Sequence, residues 1–136
     1  MINVGLVVAE FNRGVTEKME EKAKEEASEL GVEIVKNVLV PGAYDAPLAA
    51  DRLARKEEVD CVVVLGAIIE GDTDHDEVIG NSIAQKLSDI SLERDKPVTL
   101  GVTGPGMSSK EASDRISYGT EALKAGVELV ENLPEA

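Results

Sequence analysis

Seven consecutive residues, Cys61 to Ala67 in the run VDCVVVLGA, contain nothing polar and no alternation. A strand with one face in water alternates polar and apolar residues. One that is apolar throughout is buried on both faces, as the central strands of parallel sheets are. Parallel neighbours cannot be joined by a tight turn, so each pair needs a crossover, usually a helix. The rest of the chain supplies those parts. Strands are expected at Asn3–Ala9, Val32–Val40, Val59–Ala67 and Val98–Thr103. Between the first two, Val15, Met19, Ala23, Ala27 and Leu30 recur at helical spacing up to Gly31, a suitable C-terminal stop. Pro47 fits the first turn of a short helix over Ala46–Arg55. Ile79, Ile83, Leu87 and Ile90 form one face of a third helix, and Ser108-Ser109-Lys110-Glu111 is a capping box opening a helix that runs to about Leu133. Strands alternating with helices across short loops predict an α/β fold in three layers. A four-stranded parallel sheet carries helices on both faces, in a single domain over 1–136.

The charge balance narrows the partners. Fourteen basic against 27 acidic residues leave a net charge of −13, which disfavours nucleic acid and anionic membrane surfaces. Apolar runs fall short of a membrane span, and the opening MINVGLVVAEFN lacks the basic region of a signal peptide, so a soluble, cytoplasmic protein is expected. Cys61, the single cysteine, reads as a small buried apolar residue. Acid spread over helix surfaces suggests a protein suited to high salt, a reading that a stability optimum at low ionic strength would contradict.

Ligands of doubly wound sheets collect at the carboxyl ends of the strands. The polar stretches EFNRG, PGAYDAP, GAIIEGDTDHDE and TGPGMSS all fall there. The third contains His75, the only histidine, among Asp72, Asp74, Asp76 and Glu77. With a helix starting near Asp74–Asp76, the amides of Gly71 to Thr73 would face its N-terminal mouth and form an anion site. The helix dipole lowers the histidine's pKa while the carboxylates raise it, so spacing alone leaves two readings, a proton-transfer group or a surface histidine. A calcium loop is a poor match to Asp72-x-Asp74-x-Asp76, because Glu77 stands where glycine is required and Ile83 where glutamate is. A phosphoacceptor module fails as well: Lys96-Pro97 precedes its strand and Glu10 has no acidic neighbour. Phe11, the only phenylalanine, lies between Glu10 and Asn12 and suits a stacking surface better than a core. Asp45 can bind hydroxyls or cap its helix. Arg115, placed inside the last helix, can clamp a phosphate or pair with Glu111 or Asp114.

Taken in order, AEFN at 9–12, VPGAYDAPLAA at 40–50, VVVLGAIIEGDTDHDEV at 62–78, KPVTLGVTGPGM at 96–107 and DRISYG at 114–119 resemble the lumazine synthase family in its short archaeal form. The resemblance covers nearly the whole chain and implies a flavodoxin-like fold. It also implies an enzyme that joins 5-amino-6-(D-ribitylamino)uracil to L-3,4-dihydroxybutan-2-one 4-phosphate in riboflavin biosynthesis. Phosphate and water are lost, and no cofactor or metal takes part. Carried over residue by residue, Phe11 would stack on the pyrimidine ring with Asn12 beside it. Ala43 and Asp45 would line the ribityl pocket, and Gly42, Tyr44, Ala67, Ile68 and Ile69 would also contact substrate. His75 would transfer protons, and Gly71, Asp72 and Thr73 would face the phosphate by their backbone. Leu100 and Arg115 would come from a neighbouring subunit, since family members form pentamers or multiples of pentamers. Four positions depart from the common pattern: Asp45 for glutamate, Glu70 for a basic residue, Leu100 for an aromatic one, and Tyr118 as the nearest match to a lysine. The alternatives are the archaeal riboflavin synthase paralogue and a non-catalytic lumazine- or flavin-binding protein. Retention of His75 and Arg115 argues against the second.

Overall fold

The computed structural model describes residues 1–69 and 76–135. In chain order these form β1 (Asn3–Ala9), α1 (Arg13–Leu30), β2 (Glu33–Val40), a 3-10 turn (Ala43–Asp45), α2 (Ala46–Ala54), β3 (Cys61–Ile69), α3 (Asp76–Arg94), β4 (Val98–Met107), α4 (Ser109–Asp114) and α5 (Ser117–Asn132). The strands make one parallel sheet in the order β2-β1-β3-β4. β3 is flanked on both sides and all nine of its residues are buried, the environment its unbroken apolar run demands. Its side chains alternate between two cores. Cys61, Val63, Leu65, Ala67 and Ile69 meet α1 and α5, while Val62, Val64 and Ile68 meet α2 and α3. The expected three-layer α/β arrangement is therefore present. Among the described residues, no helix is long and apolar enough to cross a membrane.

Local chemistry places the ends of the elements. Gly31 closes α1 in the left-handed region at φ 72, where a residue with a Cβ is strained. α1 buries Val15, Met19, Ala23 and Ala27, as its spacing predicts. Cys61 is fully buried, and loss of hydration pushes its thiol up to about 12, so it packs as an apolar residue. Asp51 joins the two helices of the other face. It accepts from Arg94 of α3 at 2.8 Å and pairs with Arg55 at 2.6 Å, and the Arg94 hydrogen bond holds its carboxyl below the usual range.

Two expectations need correction. The fourth strand does not stop at Thr103 but continues to Met107. Its pairing with β3 shifts between Ala67↔Thr103 and Ile69↔Met107, so β4 takes up extra residues there. β4 is an edge strand, and a bulged edge is where a sheet tolerates a proline such as Pro105. The last helix is also not continuous. The capping box forms as predicted, with the Glu111 N–H donating to Ser108 Oγ at 3.2 Å and the Ser108 N–H donating to the Glu111 carboxylate at 3.4 Å. The helix it opens ends at Asp114, and α5 starts afresh at Ser117. Between them the Tyr118 and Gly119 amides bond to carbonyls three residues back, those of Arg115 and Ile116. The line of α5 is set by contact with the sheet. A Cβ on Gly119 would lie 3.2 Å from Leu65 Cδ2, and one on Gly126 3.4 Å from Cys61 Sγ. The tightened turn redirects the chain onto that line.

Acidic residues were expected on helix surfaces, yet Glu20 of α1 is buried. It pairs with Arg13 at 2.7 Å and Lys24 at 2.9 Å, and accepts from Asn37 Nδ2 of β2 at 2.8 Å. Burial alone would raise its carboxyl. The hydrogen bonds from Asn37, Lys24 and Arg13 outweigh burial and lower it to about 2. A depressed carboxylate stabilises the fold above its unfolded pKa and loses that contribution as pH falls through the folded value. Replacing Glu20 by Gln should therefore cost about 3 kcal/mol at neutral pH. The gap to wild type should close between the ordinary carboxyl value of 4.5 and about 2. Urea titrations across that range check it; a gap independent of pH would reject the ion-pair account.

Candidate active site

From β1 the chain runs outward to β2 and then returns past β1 to β3, so strand order reverses between β1 and β3. A crevice opens at their carboxyl ends. The register shows how. β1 and β3 last pair at Val8↔Leu65, whereas β1 stays with β2 through Ala9↔Val40. The Glu10 N–H then donates to the Val40 carbonyl at 2.8 Å and the Phe11 N–H to the Pro41 carbonyl at 3.0 Å. The loop carrying Phe11 is thus fastened to the β2 side, and Phe11 is 51% exposed. An apolar ring presented at a strand end by a hydrogen-bonded backbone belongs to neither core and is available for stacking.

The loop after β2 forms the next wall. Its Gly42 N–H donates to Asp45 Oδ2 at 3.0 Å, and the Asp45 N–H returns to the Gly42 carbonyl at 3.0 Å. Asp45 makes no side-chain cap to α2; its carboxylate instead ties the 3-10 turn back to Gly42. Tyr44 beside it is exposed. Ala43 closes on the central strand: a Cβ on Gly66 would lie 3.6 Å from the Cβ atoms of both Ala43 and Ala9. The floor is the end of β3, where Ala67, Ile68 and Ile69 have buried side chains. Any contact they make in the crevice goes mainly through the backbone. Asn12 reaches across, its side-chain amide donating to the Ala67 carbonyl at 2.9 Å. The chain therefore brings together Phe11, Asn12, Gly42, Ala43, Asp45 and the end of β3.

Leu100 and Arg115 lie elsewhere. Leu100 is half exposed on edge strand β4, level with Val64. That is three residues, about 10 Å, short of Ala67. It lines a shallow recess of about 380 Å³ with Thr99, Tyr118, Glu121, Ala122 and Ala125. Arg115 occupies the turn between α4 and α5, not a helix interior, and its guanidinium carbon lies 5.9 Å from the Tyr118 ring centre. A cation over an aromatic face at that range is attracted to it, which restricts the guanidinium. Glu70, Gly71, Asp72, Thr73 and His75 fall outside the described residues.

Sequence reasoning missed the bridging use of Asn12 and the buried Glu20. The second had a signal. Thr16 and Glu20 fall on the stripe that continues through Ala23 and Ala27, which marks a buried face whatever the residue type.

Comparison with known proteins identifies the family of the whole chain. Residues 1–134 match the family model described as 6,7-dimethyl-8-ribityllumazine synthase. Proteins of that name are similar along almost their full length. The one from Halobacterium salinarum is 56% identical over 133 residues, covering 98% of this chain and all of the relative. That from Methanococcus vannielii is 49% identical, covering 98% and 95%, and that from Methanocaldococcus jannaschii 47%, covering 98% and 94%. With every motif of the resemblance inside the matched span, the chain belongs to the 6,7-dimethyl-8-ribityllumazine synthase family.

Proposed function

We propose that this protein condenses 5-amino-6-(D-ribitylamino)uracil with L-3,4-dihydroxybutan-2-one 4-phosphate to 6,7-dimethyl-8-ribityllumazine, as a step of riboflavin biosynthesis. The observation that carries the reading is the exposed Phe11, fixed at the switch-point crevice of a chain that matches the family from end to end. In this reading the pyrimidine stacks on Phe11 and is held edge-on by the backbone of Ala67, Ile68 and Ile69. Its ribityl chain lies along Gly42, Ala43, Tyr44 and Asp45. Gly71, Asp72 and Thr73 receive the phosphate of the second substrate by backbone amides at the mouth of α3. An amine nitrogen of the pyrimidine attacks the ketone carbon and water leaves. Phosphate then departs as a proton is taken from the neighbouring carbon, and the resulting enol becomes a ketone. The ribitylamino nitrogen attacks that carbonyl, and a second water leaves as the ring closes. His75 accepts and returns these protons. Fixing two substrates in one crevice removes much of the entropic barrier to their reaction.

Leu100 and Arg115 act in the crevice of an adjoining subunit. The position of Leu100, level with Val64 on an open sheet edge, supports this arrangement. The assembly is a pentamer or a multiple of one, which sedimentation equilibrium tests. No metal or cofactor is required by the reaction. The deciding experiment mixes purified protein with both substrates and follows lumazine fluorescence together with released phosphate. Product above the uncatalysed background, with phosphate released in equal amount, is expected. Conversion of added lumazine to riboflavin instead would identify the riboflavin synthase paralogue. Silence in both assays would leave a binding protein.

A further inference from the structure

We infer that Asn12 is a positioning residue, the clamp that sets the width of the crevice between β1 and β3; its effect on substrate rests on the function proposed above. Asn12 stands at the N-cap of α1, where a side-chain oxygen normally accepts an amide of the first turn. Here the side chain makes no such bond. The backbone is left-handed, at φ 64 and ψ 45, and the Asn12 carbonyl accepts from the Val15 and Thr16 amides at 2.9 and 3.1 Å. Asparagine tolerates that conformation, but glycine adopts it with less strain, so the backbone alone gives no reason for an amide side chain. The amide donates a 2.9 Å bond to the Ala67 carbonyl, 55 residues away. Beyond Val8↔Leu65 the two strands no longer pair, and the loop bearing Phe11 follows β2. The Asn12 amide ties that loop back to β3. One residue thus joins the exit of β1, the start of α1 and the end of β3, and fixes the distance between the Phe11 ring and the backbone of Ala67–Ile69. A planar substrate held between those two surfaces is sensitive to that spacing.

The test compares wild type with Asn12→Gly, which keeps the backbone angle without the amide, and Asn12→Asp, which turns an oxygen toward the Ala67 carbonyl. Calorimetric titration with the pyrimidine substrate alone should give a Kd raised about tenfold in both variants. The KM of the phosphate-bearing ketone should stay near that of wild type. Acidification should restore the affinity of Asn12→Asp but not of Asn12→Gly, because a protonated carboxyl can again donate to the carbonyl. Unchanged affinity, equal weakening toward both substrates, or no recovery in acid would overturn the clamp. If wild type itself fails to bind the pyrimidine, the proposed function falls, and hydrogen exchange judges the clamp separately. The Glu10 and Phe11 amides should exchange faster in both variants, and unchanged exchange there would dismiss it.

Discussion

Asparagine at position 75 should lower kcat by about 100-fold while leaving the melting transition and the affinity for the pyrimidine close to wild type. Asparagine keeps a polar side chain of similar reach but cannot take up a proton near neutrality. The proposed reaction moves protons as water leaves to form the imine, as phosphate is expelled, and as a second water leaves at ring closure. No second histidine exists anywhere in the chain to take over. The pH profile separates this account from a mere disturbance of the loop. A wild-type limb due to the imidazole should be absent from His75→Asn, and what activity remains should follow orientation of the substrates alone. If the phosphate binds beside the ring as proposed, its charge should shift that limb upward in kcat relative to kcat/KM. Unchanged turnover in His75→Asn would remove the residue from the mechanism without touching family membership, which rests on the whole chain.

Where the strands run was readable because burial on both faces leaves an unmistakable pattern: Cys61–Ile69 is apolar at every position, and only the centre of a parallel sheet accepts that. The exposed Phe11 was legible for the opposite reason, since an aromatic residue between Glu10 and Asn12 has no apolar stripe to join. Pairwise geometry was not legible. Nothing in GPGM announces that β4 runs on to Met107, because the shift is fixed by the partner strand. Nor does the composition of Ser108–Leu133 mark the break at Arg115 and Ile116, which contains neither proline nor glycine. That break follows from how closely α5 approaches the sheet. The same holds for Asp45 and Asn12. Both read as polar residues at a ligand crevice, yet each commits a side-chain atom to the protein backbone, at Gly42 and Ala67 respectively. Their effect on substrate then comes through the shape they impose as well as through contact.

The close approach of α5 makes a second large effect predictable, at a position with no part in the chemistry. Gly101→Ala should lower stability by about 2 kcal/mol, read as a shift of the urea midpoint at constant slope. A Cβ there would lie 2.9 Å from Leu65 Cδ2, 3.0 Å from the Ala122 Cβ and 3.2 Å from the Gly119 Cα. Leu65 can change rotamer, but Ala122 and the Gly119 backbone cannot move without carrying α5 outward. Gly14 provides the counterpart. It is exposed in the first turn of α1, and a Cβ placed on it would meet nothing within 4 Å. Gly14→Ala should therefore raise stability by about 0.5 kcal/mol through helix propensity alone. The two substitutions add the same carbon and should move the midpoint in opposite directions. Displacement of α5 also carries the turn that holds Arg115, and Leu100 is the residue next to Gly101. In the proposed arrangement, where Arg115 meets the phosphate, Gly101→Ala should therefore weaken use of the phosphate-bearing ketone, while Gly14→Ala leaves it alone. Equal effects of the two alanines on stability would mean that the contact between α5 and β4 yields easily. The break at Arg115 would then need another cause.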